Sequence, residues 1–113
     1  MGAQKERLAA EYLKARGVTI LEQNFRCRQG EIDLIARDGE YLVFCEVKFR
    51  LGTEMGSPEE AVGIAKQKKI CRVGDYYRSV HGLKQSTPVR YDVIAIRGEN
   101  VSWIRNAFPH QYR

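Results

Sequence analysis

The feature that most constrains the fold is a pair of apolar, β-branched segments separated by an Asp-Gly dipeptide. The segments are residues 31–37 and 41–48, with Asp38-Gly39 between them. Asp-Gly is typical of tight two-residue turns, because such turns need positive φ angles that these two residues tolerate. The sequence therefore predicts an antiparallel β-hairpin. Both faces of the second segment are largely apolar, which predicts a central strand covered on both sides.

The remaining elements follow from periodicity and from helix start and stop signals. Apolar spacing predicts helices over residues 3–16 and 57–80, and short apolar runs predict strands over residues 18–25, 89–96 and 101–104. In the second helix, Ser57 would be the N-cap, Pro58 the first helical residue and Glu60 the partner in a capping box. The order is helix, three strands, helix, two strands. It predicts an α/β fold with a mixed β-sheet flanked by helices.

Length and charge narrow the class of protein. The 113 residues fit one domain, residues 1–113, and 19 Lys and Arg against 14 Asp and Glu give a net charge of +5. A basic surplus favours a polyanionic partner. No apolar run approaches the length of a membrane span, so we expect no membrane association. The three cysteines form no CxxC pair, which argues against disulfides or zinc and favours a cytoplasmic location.

The predicted turn fixes which side chains of the hairpin share a face. A two-residue loop at Asp38-Gly39 would pair Arg37 with Glu40 and place Asp33 opposite Phe44. Directly opposed residues lie on one face, and side chains along a strand alternate between faces. A three-residue loop would reverse this parity, so the arrangement depends on the turn.

With this parity, Asp33, Glu46 and Lys48 project from the same face of the hairpin. Asp33 and Glu46 would be diagonal neighbours with Cβ atoms roughly 7–8 Å apart. Two carboxylates at that separation can converge on one divalent cation. The alternative is structural: Glu46 and Lys48 pair with each other at the exposed end of the strand, and Asp33 caps a turn.

The first helix contributes a further carboxylate. Glu6 shares a helical face with Ala9, Ala10 and Leu13, so it lies on the side that packs inward. From there it could reach a metal held by the sheet. The alternative is that Glu6, in the first helical turn, only stabilises the helix dipole.

Basic residues lie around these carboxylates in sequence and along the second helix. They are Arg26, Arg28 and Arg50 near the hairpin, and Lys66, Lys68, Lys69 and Arg72 in the helix. Contacts of Lys and Arg with phosphate dominate the affinity of proteins for nucleic acid, so this set predicts a nucleic-acid-binding surface. The helical cluster is equally compatible with an ordinary solvated face.

These motifs resemble those of known families. Asp33 followed by Glu46-Val47-Lys48 resembles the PD-(D/E)xK nuclease superfamily, with its restriction-endonuclease-like core, which includes archaeal Holliday-junction resolvases; Ile32 replaces the proline of that motif. A longer series is similar to the YraN-like family, which is widespread in bacteria and described as nuclease-like. The residues of this chain that match that family are Glu6, Ala9-Ala10, Tyr12-Leu13, Gly17, Ile20-Leu21, Asn24-Phe25-Arg26, and residues 30–36, 44–48, 56–62, 91–94 and 106–108.

The resemblance implies roles for individual residues. Asp33 and Glu46 would bind Mg²⁺ or Mn²⁺ with the Val47 carbonyl as a further ligand, and Glu6 would contact the metal directly or through water. Lys48 would orient or activate the attacking water, or stabilise charge on the phosphate. Gln67 would be the polar residue that many superfamily members place beside the catalytic lysine.

The expected function is a metal-dependent endonuclease that hydrolyses DNA, including branched or otherwise structured DNA. By analogy with resolvases, which dimerise to cut two strands, a homodimer is expected. Two alternatives stay open at this stage: a non-catalytic nucleic-acid-binding module with the nuclease fold, and an assembly factor in which the acidic site is vestigial.

Overall fold

The computed structural model describes residues 2–50 and 62–111, with side chains described for residues 4–49 and 62–111. The elements are α1 (Gly2–Lys14), β1 (Thr19–Cys27), β2 (Gly30–Asp38), β3 (Tyr41–Arg50), α2 (Ile64–Val80), β4 (Val89–Arg97) and β5 (Asn100–Ile104). This is the predicted order of helix, three strands, helix and two strands. Within the described residues, neither helix is long and apolar enough to cross a bilayer.

The five strands form one sheet in the order β1-β2-β3-β4-β5. Neighbouring strands are antiparallel except for β3 and β4, which are parallel. Parallel strands need a crossover connection, and α2 lies in the chain between these two. The predicted α/β class with a mixed, helix-flanked sheet is therefore confirmed. So is the central position of β3, in which residues 42–47 are all buried.

The two helices cover opposite faces of the sheet. On the α2 face the core contains Phe44, Val73, Tyr77, Tyr91 and Phe108 with smaller apolar residues. On the α1 face the core contains Ala9, Ala10 and Leu13 packed on Leu34, Val43 and Ile94. The hairpin of β2 and β3 thus contributes alternate residues to two separate cores, which fixes its position between the helices.

The β2–β3 turn differs from the predicted one by one position at each end. The closing pair is Asp38 and Tyr41, so Gly39 and Glu40 form the loop. Gly39 has φ +63° at the first central position, where a type II′ turn needs glycine. The predicted pairing of Asp33 with Phe44 is therefore wrong.

Because of the changed turn, each residue of β2 lies opposite the residue of β3 that is two positions beyond the predicted partner. A shift of two positions leaves every side chain on its predicted face of the sheet. The regular ladder between β2 and β3 ends at the pair Leu34 and Cys45. Continued by one step, it places Asp33 opposite Glu46. The two carboxylates are consequently direct neighbours across the hairpin, closer than the diagonal arrangement that the sequence predicted.

The start of α2 also differs from the prediction. Gly63 is extended (φ −66°, ψ 165°) and precedes the first helical residue, Ile64. A continuous helix over residues 57–80 is therefore wrong, although its end at Val80 is confirmed. Glycine is unfavourable within helices because of its backbone entropy, so it is a natural place for the interruption. The predicted cap formed by Ser57, Pro58 and Glu60 lies outside the described residues.

Candidate active site

The site lies where β2 and β3 pass beyond their regular ladder. The backbone N–H of Val47 donates to Asp33 Oδ2 at 2.7 Å, so a side chain replaces a backbone carbonyl as the acceptor. This bond holds the Asp33 carboxylate beside β3 and next to Glu46. Asp33 thus binds the backbone of a strand, whereas the structural alternative had it capping a turn.

Edge strand β1 departs from extended backbone geometry at the same level. Asn24 has φ +54°, and the pairs Gln23–Leu34 and Phe25–Ile32 on either side place it opposite Asp33. Asparagine is one of the few residues that adopt this left-handed conformation readily. Such strain within a strand is concentrated at functional sites and ligand clamps. No role was predicted for Asn24 beyond the family resemblance, and an Asn inside a strand-like run is the local signal of this conformation.

Burial and neighbouring charge hold a proton on Asp33. The pKa of its carboxyl is raised from 3.8 to about 7 by burial first and then by the negative charge of Glu46. The hydrogen bond with the Glu46 side chain and the charge of Glu6 act in the same direction, whereas the Val47 N–H opposes them. The proximity of a second carboxylate therefore favours the protonated form of Asp33 near neutral pH.

Two lysines converge on Glu46, whose residue surface is only 4% exposed. Lys48 Nζ lies 3.5 Å from Glu46 Oε2, and Lys66 Nζ lies 2.6 Å from the same oxygen. The ion pair of Lys48 with Glu46 was the structural alternative in the sequence, and it is formed. Lys66 was predicted only as a nucleic-acid contact, so the structure adds it to the carboxylate site.

The acidic residues around Lys66 favour its charged, protonated form. Burial works against its ammonium, but the hydrogen bond and charge of Glu46, together with Asp33 and Glu31, raise its pKa above the ordinary value. Lys66 lies in the first turn of α2, so the helix on one face of the sheet provides a cation to a carboxylate of the central strand.

Glu6 reaches the site from α1 on the other face. It is 8% exposed and shares the inward face with buried Ala9, Ala10 and Leu13, as the sequence predicted. Its charge contributes to the raised pKa of Asp33. Direct or water-mediated contact of Glu6 with a metal stays a prediction, as does ligation by the Val47 carbonyl.

Divalent ions such as Mg²⁺ bind oxygen ligands, above all carboxylates. In the described part of the chain, no group of three or more His, Cys, Asp or Glu side chains has the geometry of a metal site. The ligands on offer are therefore the paired carboxylates of Asp33 and Glu46. Mg²⁺ usually takes one or two protein carboxylates and keeps waters and substrate phosphates as its other ligands, so these residues fit it.

Gln67 is engaged within the protein. Its Nε2 donates to the Val62 carbonyl at 2.8 Å, and its Oε1 accepts from Gln111 Nε2 at 3.0 Å. These bonds fasten the start of α2 to the end of the described chain. The α2 side chain that pairs with Glu46 is that of Lys66. The place of Gln67 beside the catalytic lysine, which the superfamily resemblance implied, stays a prediction.

Another buried acid, Asp92 on β4, lies outside this site. It is 0% exposed, and its oxygens accept hydrogen bonds from Arg90, from Trp103 Nε1 at 2.8 Å and from the Asn106 N–H at 2.8 Å. Arg90 also binds Asp38 at 2.9 Å. A carboxylate with this many donors is a structural tie between β4 and its neighbours and has little capacity left for a metal.

A groove of about 670 Å³ is connected to the carboxylate site through Lys66, which lines the groove and pairs with Glu46. It lies between the β1–β2 connection and α2, and its lining residues are Arg26, Cys27, Gly30, Glu31, Ala65, Lys66, Lys69 and Ile70. Gly30 has φ +144°, and a Cβ there would lie 3.1 Å from Lys69 Cγ, so glycine lets the lysine stem cross the backbone closely. Lys66 belongs to both the groove and the carboxylate site.

Three of the predicted basic residues line the groove, and three others lie outside it. Arg26, Lys66 and Lys69 line the groove, and Arg26 is held at 3.2 Å by Glu31. Arg28 and Arg72 are exposed and Lys68 is half-buried, and none of these three lines the groove. The side chain of Arg50 lies outside the described residues.

A mixed five-stranded sheet between two helices, with this pair of carboxylates on adjacent strands, is compatible with a restriction-endonuclease-like core. The family model described as "Uncharacterised protein family UPF0102" matches residues 5–96. The chain therefore belongs to the UPF0102 family, which is the YraN family, and the family resemblance in the sequence is confirmed.

Relatives match over nearly the whole chain. A UPF0102 protein of Lachnoclostridium phytofermentans is 50% identical over 107 residues, which cover 95% of this chain and 91% of that protein. A UPF0102 protein of Thermodesulfovibrio yellowstonii is 47% identical over 108 residues, covering 96% and 95%. One from Alkalilimnicola ehrlichii is 43% identical over 107 residues, covering 95% and 85%.

Proposed function

We propose that this protein is a metal-dependent nuclease that hydrolyses phosphodiester bonds of DNA. One observation carries the proposal: the paired carboxylates of Asp33 and Glu46, with the ammonium groups of Lys48 and Lys66, lie beside a groove lined by basic residues. Phosphodiester hydrolysis needs an activated oxygen nucleophile and a positive environment for the charge that develops on the phosphate. This arrangement offers groups for both.

Asp33 and Glu46 would hold Mg²⁺ or Mn²⁺. Such an ion supplies Lewis acidity toward the phosphate and lowers the pKa of a bound water. The Val47 N–H fixes the orientation of the Asp33 carboxylate before any ligand arrives. The protein's part is thus to present two adjacent oxygen ligands in a partly dry position.

Lys48 is the proposed catalytic lysine. Its side chain is 22% exposed and its Nζ is tethered 3.5 Å from Glu46 Oε2, so its charge is confined to the neighbourhood of the carboxylates. A positive charge held there would orient the attacking water or stabilise the phosphate as it gains charge.

The groove would bind the phosphate backbone. Arg26 and Lys69 line it away from the carboxylates, with Lys66 at the junction. Phosphate contacts position DNA but carry no sequence information, so selectivity would come from DNA structure. We propose branched or otherwise structured DNA as the preferred substrate, and a homodimer as the form that cuts two strands.

A non-catalytic nucleic-acid-binding module is the second candidate. The observation that favours it is the contact of two lysines with Glu46, because this carboxylate already has two cationic partners within the protein. In that case the groove alone would carry the function, and the acids and lysines would form a structural ion network.

Cleavage assays distinguish the two candidates. Purified protein would be incubated with linear duplex, single-stranded and four-way-junction DNA in Mg²⁺ or Mn²⁺. We expect cleavage that falls at least about a hundredfold in Glu46→Gln, since changes outside the ligand set already cost ten- to a hundredfold. Glu40→Gln, in the turn at the other end of the hairpin, is the matched control and should cleave normally. Salt-dependent DNA binding without cleavage of any substrate would favour the non-catalytic module.

A further inference from the structure

The Glu46 carboxylate has two competing cationic partners. Glu46 Oε2 lies 2.6 Å from the Lys66 ammonium, and Glu46 is one of the two carboxylates proposed to bind the metal. A divalent cation bound by the Glu46 carboxylate would lie within a few ångströms of this ammonium, and the two positive charges would repel each other. Entry of a metal at Glu46 therefore weakens the contact with Lys66.

Lys66 is better placed than Lys48 to change partners when a metal binds Glu46. The Lys48 side chain is 22% exposed and lies on the same strand as Glu46, whereas the Lys66 side chain is 47% exposed and also lines the groove. A lysine ammonium on four flexible carbons can exchange one anionic partner for another without movement of the backbone. The groove offers Lys66 such a partner whenever a DNA phosphate occupies it.

We propose that Lys66 couples metal binding to DNA binding by exchanging Glu46 for a phosphate. The inference rests on the proposed function and adds a regulatory device to the same site. A metal at Glu46 makes Lys66 available to DNA, and a phosphate in the groove draws Lys66 away from the metal-binding carboxylate. By thermodynamic reciprocity, each ligand then raises the affinity for the other by the same factor.

The coupling factor can be measured without cleavage. The affinity of fluorescently labelled DNA would be determined with and without Ca²⁺, using gels to verify that the DNA stays intact. Direct ligation of the metal by phosphate contributes to coupling in every variant, so the difference between variants isolates the part due to Lys66. We expect wild-type coupling of at least about tenfold, within the common range for coupled sites, and a factor several-fold smaller in Lys66→Met.

Lys69→Met is the matched control, since Lys69 lines the same groove, whereas the lysines that pair with Glu46 are Lys48 and Lys66. It should weaken DNA binding but keep the wild-type coupling factor. A second measurement uses Mn²⁺ alone: Lys66→Met should bind Mn²⁺ several-fold more tightly than wild type because a competing cation is gone, whereas Lys69→Met should not. Melting temperatures would verify that both variants fold.

The outcomes separate this inference from the proposed function. Equal coupling in wild type and Lys66→Met, or unchanged Mn²⁺ affinity in Lys66→Met, would overturn the role of Lys66 and leave the nuclease proposal standing. A wild-type protein that binds neither Mn²⁺ nor Ca²⁺ would overturn both, because the metal site itself would be absent.

Discussion

The backbone N–H of Val47 and the carboxylate of Asp33 form a 2.7 Å hydrogen bond just beyond the last regular pair of the β2–β3 ladder. The bond stabilises the ionised carboxylate, yet the pKa of Asp33 is raised to about 7 because burial and the charge of Glu46 outweigh it. Metal-free protein therefore keeps this acid protonated well above its ordinary range.

The first prediction concerns stability against pH. Because the folded state holds the Asp33 proton to about pH 7 and the unfolded chain releases it near 3.8, the contribution of Asp33 to the free energy of unfolding falls across this interval. Below pH 3.8 the Asp33 carboxyl makes its full contribution to the free energy of unfolding, and above about pH 7 this contribution is lost. We expect Asp33→Asn to be more stable than wild type at pH 8, by about 2 kcal/mol after allowance for solvent screening.

Thermal denaturation in EDTA between pH 4 and 9 measures this difference. A gain of about 2 kcal/mol corresponds to a melting temperature higher by roughly 8 °C at this chain length, with convergence of the two proteins near pH 4. Glu40→Gln, which changes an exposed turn carboxylate, should follow wild type throughout. Parallel curves for Asp33→Asn and wild type would show that Asp33 titrates normally.

The second prediction separates chemistry from binding at the two lysine positions. Lys48→Met should lower kcat at least about a hundredfold with little change in DNA affinity, since Lys48 acts beside the carboxylates. Lys69→Met should weaken DNA binding and leave kcat at saturating DNA unchanged, because Lys69 lies along the groove. Single-turnover kinetics provide both quantities. A pure affinity effect in Lys48→Met would exclude a catalytic role for this lysine.

The hairpin shows what local sequence can determine. The apolar segments and the turn glycine predicted β2, β3 and the shared face of Asp33 and Glu46. The loop position was wrong because Asp38-Gly39 and Gly39-Glu40 both accommodate a two-residue turn, one of type I′ and one of type II′. The error shifts the register by two residues, so the faces are unchanged and the carboxylates come closer than predicted.

Contacts between distant parts of the chain were harder to predict. Lys66 follows Glu46 by twenty positions, and its contact depends on how the crossover places the first turn of α2. Helical periodicity gives the face of a lysine but not the strand end that the helix start reaches. The role of Gln67 came from the superfamily resemblance and stays a prediction; its amide binds Val62 and Gln111.

The third prediction tests the groove by salt dependence. Each phosphate contact on duplex DNA contributes about 0.9 to the slope of log affinity against log salt. Arg26→Gln and Lys69→Gln should each reduce the slope by about this amount, whereas Lys84→Gln, an exposed residue outside the groove lining, should not. Titrations by fluorescence anisotropy at several KCl concentrations measure the slopes. Equal slopes in all variants would place the DNA on a different surface.

Glu31 provides the opposite change in the same groove. Its carboxylate pairs with Arg26 at 3.2 Å, with both side chains largely exposed. Glu31→Gln should therefore increase DNA affinity at low salt, because a repulsive charge is removed and Arg26 can turn toward phosphate. Weaker binding in this variant would mean that Glu31 holds Arg26 in its DNA-binding position.

The fourth prediction concerns the packing that places α2, and with it Lys66, against the sheet. A Cβ at Gly74 would lie 2.9 Å from Phe44 Cε2, which real Cβ contacts do not allow. Phe44 has little room to move, since its ring stacks on Tyr91 and meets Tyr77 edge-on. Alanine is the better helix former by about 1 kcal/mol, but overpacking of a buried ring costs about 1–3 kcal/mol.

We therefore expect Gly74→Ala to lower the free energy of unfolding by up to about 2 kcal/mol. The double variant Gly74→Ala with Phe44→Leu tests the cause, because leucine removes the ring atoms that the new methyl group meets. Urea denaturation of the four proteins should show that the double variant is destabilised by less than the sum of the single changes. Additive effects would show that Gly74 is needed for a reason other than its contact with Phe44.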